Sequence, residues 1–294
     1  MSVALGLLTQ KGISIPSEIL LILSEITILI PSLIYILIKR LSFRDDLGFR
    51  RIRTGTVFMC VFLSALVTPI AWFANIVSQL FVSNTMVEMS DSLLQASDAA
   101  LMILGALYGP FCEELLFRSI LCNRYEKYTG PMRAGLISAL LFGLAHMNIN
   151  QAVYVFVLGF IFAVINKAAG SVYPSIIVHA CINGSNILLM IIMAKVSDAM
   201  GNGGSELIES AESVRQSDLI YVMIGSTMIL AVICAICSIP CIVWISKHEG
   251  RFEGLYDMFA NKHPRVRWLT VPTALAIGFI LFMMFGLEPL LSLM

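Results

Sequence analysis

The amino-acid sequence predicts an all-α membrane protein, a polytopic bundle of about eight transmembrane helices. Of the 294 residues, 58% are hydrophobic and only 13% are charged, whereas a soluble domain carries about 25% charged residues. The apolar residues come in runs of about 20, the length needed to cross a hydrocarbon core about 30 Å thick. We therefore expect one transmembrane domain over residues 1–294.

Eight apolar runs, each bounded by polar breaks, define the predicted spans in order along the chain. The fourth and fifth spans are short and share the polar turn 148–151, so they must be antiparallel neighbours. The eight spans lie near residues 17–38, 55–82, 98–120, 133–149, 151–167, 172–194, 219–245 and 269–291.

The segments between the spans alternate in charge. Lys and Arg concentrate in residues 39–53, 121–133 and 246–268, whereas residues 83–97 and 195–218 lean acidic. By the positive-inside rule, the basic segments are cytoplasmic and both termini lie outside. The short loops favour an integral protein of the bacterial plasma membrane.

Charge and cysteine usage exclude two other classes of protein. The formal net charge is zero, so no basic surface indicates a nucleic-acid partner. The seven cysteines stand singly and predict no disulfide framework. Cys234 and Cys237 have a C-x-x-C spacing, but their apolar surroundings favour packing inside a span over redox chemistry.

The third span carries charges that do not belong in lipid. A charged residue at the centre of a span costs about 2.5–3.5 kcal/mol, yet Glu113, Glu114 and Arg118 lie within six residues. Residues four apart share a helix face, whereas adjacent residues point about 100° apart. We therefore expect Glu114 to pair with Arg118, and Glu113 to remain available as a general base.

Two further polar sites follow in separate spans. His146 lies in the fourth span, and His179 and Asn183 share one helical face of the sixth span. At 1.5 Å per residue, these groups and Glu113 lie roughly 14–20 Å from the predicted cytoplasmic ends of their spans. The common depth predicts a single site near mid-bilayer, built from a core of residues 98–194.

These residues form three motifs: E-E-x-x-x-R at 113–118, F-x-x-x-H at 142–146 and H-x-x-x-N at 179–183. Together they resemble the type II CAAX prenyl endopeptidase family, also called the CPBP or ABI family of intramembrane proteases. All three family motifs stand here complete and in order, so the resemblance covers about residues 113–183 and extends to no recognisable motif outside them.

The resemblance implies a role for each motif residue. Glu113 and His146 would activate a water that attacks the scissile amide. His179 and Asn183 would stabilise the oxyanion of the tetrahedral intermediate, as donors aimed at developing charge do. The Glu114 ion pair would hold the site in shape.

A metal is the open alternative at this site. Proteins of this family are often labelled metalloproteases, and Glu113, His146 and His179 would supply the ligands of a His₂Glu zinc site. The sequence lacks H-E-x-x-H, and water activation by glutamate and histidine needs no metal. We favour a site that requires no cofactor and keep a divalent metal, zinc, as the alternative.

Three functions are compatible with the sequence. The leading hypothesis is an endopeptidase that cleaves membrane-associated or lipid-modified peptides or proteins, with membrane lipid as the other partner. The alternatives are a non-catalytic membrane scaffold or immunity protein of the same fold, and a carrier with a midplane proton relay. The absence of paired half-span repeats argues against a carrier. Glu18 and Glu25, seven residues apart on one face of the first span, have no assigned role beyond an interface or a polar cleft.

Overall fold

The computed structural model describes residues 16–82, 84, 90, 93–200, 216–260, 274, 277–279 and 281, and the regular secondary structure of these residues is all helical. The helices are α1 Ser17–Lys39, α2 Thr54–Ser78, α3 Asp98–Thr129, α4 Pro131–Ala145, α5 Ile149–Ala169, α6 Tyr173–Met200, α7 Gln216–His248 and α8 Phe252–Ala260.

Six of these helices, α1, α2, α3, α5, α6 and α7, are long and apolar enough to cross a membrane. Together with the shorter α4, they confirm the predicted helical bundle and the order of its first seven spans. Their outer faces are apolar, as at Leu37 (74% exposed) and Phe58 (71%). The eighth predicted span, 269–291, lies outside the described ranges apart from a few isolated positions.

The odd-numbered connections between spans meet at one end of the bundle. The Val172 N–H, between α5 and α6, donates to the Gly48 carbonyl, between α1 and α2, at 3.0 Å. The Arg53 N–H donates to the Glu249 carboxylate, just after α7, at 2.9 Å. Asn123 of α3 reaches the same end, so the basic segments share one side, as the predicted charge alternation requires.

The even-numbered connections meet at the opposite end. The Asn150 side chain, at the start of α5, donates to Asn75 Oδ1, near the end of α2, at 2.7 Å. Lys195, near the end of α6, forms an ion pair with Asp98, the first residue of α3. Which of the two ends faces the cytoplasm remains a prediction.

Helix α3 is not uniform. Residues Leu101–Tyr108 and Leu115–Cys122 wind as wide π-helical turns, and they flank the α-helical segment Gly109–Glu114. Pro110 has no N–H to continue the backbone ladder, and its ring crowds the preceding turn, which favours such local rearrangement. The short α-helical segment carries both adjacent glutamates of the first motif, so they leave α3 in different directions.

Helix α4 ends earlier than predicted. The fourth span was expected to run to residue 149, but α4 stops at Ala145 after 15 residues, about 22 Å. Met147 takes a left-handed φ of 52°, and the Asn148 side chain accepts from the Gln151 N–H at 3.1 Å to cap α5. The left-handed Met147 ends α4, and the Asn148 cap begins α5. His146 therefore lies at the C-terminal cap of α4 and not within a span.

Glycines let α4 and α5 pack closely. A Cβ added at Gly143 would lie 2.6 Å from the Ala152 carbonyl oxygen, and one at Gly159 would lie 3.1 Å from Ala139 Cα. Contacts this short require glycine, because a backbone carbonyl cannot move aside as a flexible side chain can. The close packing fixes the position of the α4 end that carries His146.

We expect Gly143→Ala to lower the free energy of unfolding by about 1–3 kcal/mol, because the new methyl group must push α4 away from α5. Denaturant unfolding of the detergent-solubilised protein, followed by tryptophan fluorescence, measures the change. The control is Gly225→Ala on α7, where nothing lies within 4 Å of the added Cβ. Equal stability of both variants would contradict the close packing.

Candidate active site

The Glu113 carboxylate lies between two imidazoles that come from other parts of the chain. Its Oε1 is 3.9 Å from His146 Nε2, at the end of α4, and its Oε2 is 3.5 Å from His179 Nε2, on α6. The three side chains are 15%, 23% and 6% exposed, respectively, so the cluster is largely buried but not closed. The structure thus brings together three of the four residues predicted to catalyse.

A backbone contact sets the orientation of His146. Its Nδ1 lies 3.0 Å from the Phe142 carbonyl oxygen, which can only accept, so Nδ1 carries a proton and donates. In the neutral imidazole, Nε2 then presents its lone pair toward Glu113. The 3.9 Å between the two acceptor atoms is too long for a direct hydrogen bond and is a width that one water can bridge.

His179 is held between two carboxylates. Its Nδ1 donates to Glu114 Oε1 at 3.3 Å, and its Nε2 faces Glu113 Oε2 at 3.5 Å. The rings of Phe142 and Phe162 also contact the imidazole, with centroids 5.8 and 5.0 Å away. Glu114 therefore orients His179 so that Nε2 points at Glu113.

The predicted ion pair of Glu114 with Arg118 is present and fully buried. Arg118 Nε lies 3.5 Å from Glu114 Oε2, and the two side chains are 1% and 0% exposed. The guanidinium carbon lies 4.5 Å from the Phe142 ring centroid and 5.6 Å from that of Phe162, close enough for cation–π attraction. Gly159 leaves room for this arrangement, because an added Cβ would lie 2.9 Å from an Arg118 terminal nitrogen.

Asn183 lies one turn beyond His179 on α6 and makes a different contact. Its side-chain amide donates to the Gly105 carbonyl of α3 at 3.2 Å. It forms no hydrogen bond with Glu113 or either histidine within the described residues. An amide has two N–H groups, so one remains for another acceptor while the other ties α6 to α3.

Phe162 is the site residue that sequence reasoning missed. It is fully buried and contacts both Arg118 and His179. Nothing in an apolar run distinguishes one phenylalanine from another, whereas Phe142 was marked by its place in the second motif. Only its spacing of three residues from Gly159 hints at a special environment.

The zinc alternative names Glu113, His146 and His179 as ligands. Within the part of the chain that the structure describes, no group of three or more His, Cys, Asp or Glu side chains is arranged to hold a metal ion. The three side chains do converge, and the zinc alternative remains a prediction.

A separate charged cavity of about 520 Å³ reaches Arg118 from the end where the basic segments meet. Its walls carry the exposed ion pair of Asp46 with Lys127 and the pair of Glu126 with Lys167. None of the three converging residues lines it, so this cavity is distinct from the space beside Glu113.

Comparison with known proteins supports the predicted resemblance over the core. Residues 95–185 match the family model described as type II CAAX prenyl endopeptidase Rce1-like. The chain is similar to the Bacillus subtilis (strain 168) protein named "Putative membrane peptidase YdiL", with 26% identity over 91 residues. That alignment covers 31% of this chain and 37% of the relative. No solved structure matches the chain.

We expect Glu114→Gln and Arg118→Met each to lower the free energy of unfolding by about 3–5 kcal/mol, because the remaining partner stays buried without its counterpart. The double variant should lose less than the sum of the two. Denaturant unfolding in detergent micelles gives all three values.

The control for this double-mutant cycle is Lys127→Met, which breaks an exposed pair with Asp46 and should change stability by less than about 1 kcal/mol. Strictly additive losses for Glu114 and Arg118 would show that the two side chains do not interact.

Proposed function

We propose that this protein, whose core belongs to the type II CAAX prenyl endopeptidase family, is an intramembrane endopeptidase. It hydrolyses a peptide bond of membrane-associated or lipid-modified substrates. The observation that supports this most is the position of the Glu113 carboxylate between His146 and His179, at 3.9 and 3.5 Å. A base and its partners, gathered from three separated segments inside an apolar bundle, form the minimum apparatus for activating water.

The attacking water lies between Glu113 Oε1 and His146 Nε2. Both atoms are acceptors, so each accepts one hydrogen bond from the water. The water oxygen then directs a lone pair away from them, toward the substrate. As the water oxygen bonds to the substrate carbonyl carbon, one proton passes to Glu113. The fixed Nδ1 contact of His146 with the backbone keeps Nε2 available for this role.

The oxyanion that forms is stabilised by His179 and Asn183. When Nε2 of His179 carries a proton, that N–H is the donor, with Glu114 holding the opposite ring nitrogen. Asn183 contributes the amide N–H that Gly105 leaves free. When the carbon–nitrogen bond breaks, its electron pair remains on nitrogen, which takes the proton that Glu113 received from water. The products are a carboxylic acid and an amine, and the catalytic groups return to their initial state.

The surroundings of the site favour a substrate held at the membrane. The reactive groups lie among helices whose outer faces are apolar, so a peptide must approach from within or beside the bilayer. An attached lipid or an adjoining transmembrane segment would concentrate the peptide there.

We expect Glu113→Gln and His146→Ala to lower the cleavage rate by about 10²–10⁴-fold, because Glu113 takes the proton from water and His146 accepts the hydrogen bond that orients the same water. The assay uses purified protein in liposomes with a randomised library of N-terminally acylated peptides. Mass spectrometry identifies the cleaved bonds, and Cys237→Ala, on the exposed surface of α7, serves as the control. Undiminished cleavage by both site variants would remove these residues from catalysis.

Chelation tests the metal alternative separately. We expect 1,10-phenanthroline and EDTA to leave the cleavage rate unchanged, because Glu113 and His146 suffice to activate water. Metal analysis of the purified protein should likewise find less than one ion per chain. Inhibition that Zn²⁺ reverses, together with one bound zinc per chain, would instead establish a metal centre.

A further inference from the structure

Glu25 of α1 has a buried carboxylate oxygen without a partner. Its Oε1 accepts from the Ser24 hydroxyl at 3.3 Å, but its Oε2 is inaccessible and forms no hydrogen bond within the described residues. No Lys or Arg of those residues forms an ion pair with it. A buried polar atom of this kind is costly, and in a membrane span it marks a functional contact more often than a structural one.

The Glu25 carboxyl group lies against α3 at Gly109. A Cβ added at Gly109 would lie 3.6 Å from both Cδ and Oε1 of Glu25, so the carboxyl group packs directly against α3 at this position. Gly109 and Glu113 lie four residues apart in one α-helical segment, and such residues are neighbours about 6 Å apart on one face. Glu25 therefore lies beside the proposed base, and the two charges interact.

The position of α1 is fixed by contacts on both sides of Glu25. Glu18, two turns earlier, accepts from the Ser97 N–H at 3.0 Å, just before α3. Ile36, three turns later, packs with Leu115 of α3. The two helices run side by side in the same direction. Glu25 lies outside residues 95–185, the segment that the family comparison covers.

The neighbouring groups of α3 supply no positive charge to Glu25. Tyr108, Cys112 and Glu113 of α3 lie close enough to Glu25 for electrostatic interaction, and none of the three is a cation. Arg118, also on α3, is already paired with Glu114. Glu113 faces two imidazoles, whereas Glu25 forms no ion pair with a Lys or Arg of the described residues, which favours a cation brought in by the substrate as its partner.

We propose that Glu25 is a specificity-determining residue that binds the basic side chain of a Lys or Arg close to the scissile bond. The substrates are then membrane-attached peptides that carry a basic residue within a few positions of the cleaved bond. This inference rests on the proposed endopeptidase function, and it names the class of peptide that the same site selects.

The experiment compares acylated peptides that are identical except for Lys, Met or Glu at each position beside the cleaved bond. Wild-type protein in liposomes should prefer Lys over Met at one position by about tenfold or more in kcat/KM. In Glu25→Gln this ratio should fall to within about twofold while the Met peptide is still cleaved, and Glu25→Lys should prefer the Glu peptide. Glu18→Gln is the matched control and should retain the wild-type ratio, because Glu18 has its own backbone partner.

Each outcome separates this inference from the proposed function. No preference for Lys in the wild type, or the same preference in Glu25→Gln, would overturn the role of Glu25. If that happens while Glu113→Gln is inactive, the endopeptidase assignment stands and only the specificity proposal fails. Cleavage that persists in Glu113→Gln, or is absent in the wild type, would overturn both.

Discussion

The arrangement of the site depends on one buried carboxylate, that of Glu114. It is 0% exposed and contacts the Arg118 guanidinium at 3.5 Å on one side and the His179 imidazole at 3.3 Å on the other. Without Glu114, Arg118 would be an unpaired charge inside the bundle, and His179 would lose the contact that orients it. A buried ion pair costs desolvation energy, and here the same carboxylate also positions the His179 imidazole.

The surrounding helices bring Glu113 and the two imidazoles together beside this pair. The short α-helical segment of α3 directs adjacent glutamates to different neighbours, one toward Arg118 and one toward the two imidazoles. The early end of α4 places His146 at a helix terminus, where its ring is fixed by the Phe142 carbonyl. Non-helical backbone at this depth is tolerated only where protein covers it. Helix α5 packs against this end of α4, as the close contact at Gly143 shows.

Much of this site could be predicted because a charged side chain inside the bilayer costs free energy unless it has a partner or water. Glu113, His146 and His179 must gather around water or each other, and their equal depth indicated that they share one cavity. The pair of Glu114 with Arg118 followed from helical spacing alone. Spacing does not reveal which faces of different helices meet, so the bond from Asn183 to Gly105 and the position of Glu25 could not be predicted. The wide turns of α3 add to this uncertainty, because they rotate the face that a regular helix would present.

The most direct test of the account is an experimental structure of the protein in a lipid nanodisc, for example by cryo-electron microscopy with a bound antibody fragment. The account predicts that the Glu113 carboxylate lies between His146 and His179, with both imidazoles within the reach of one bridging water, about 6 Å. Side chains that face lipid, or that are separated by more than this distance, would contradict it and leave only a helical membrane protein with no reaction centre.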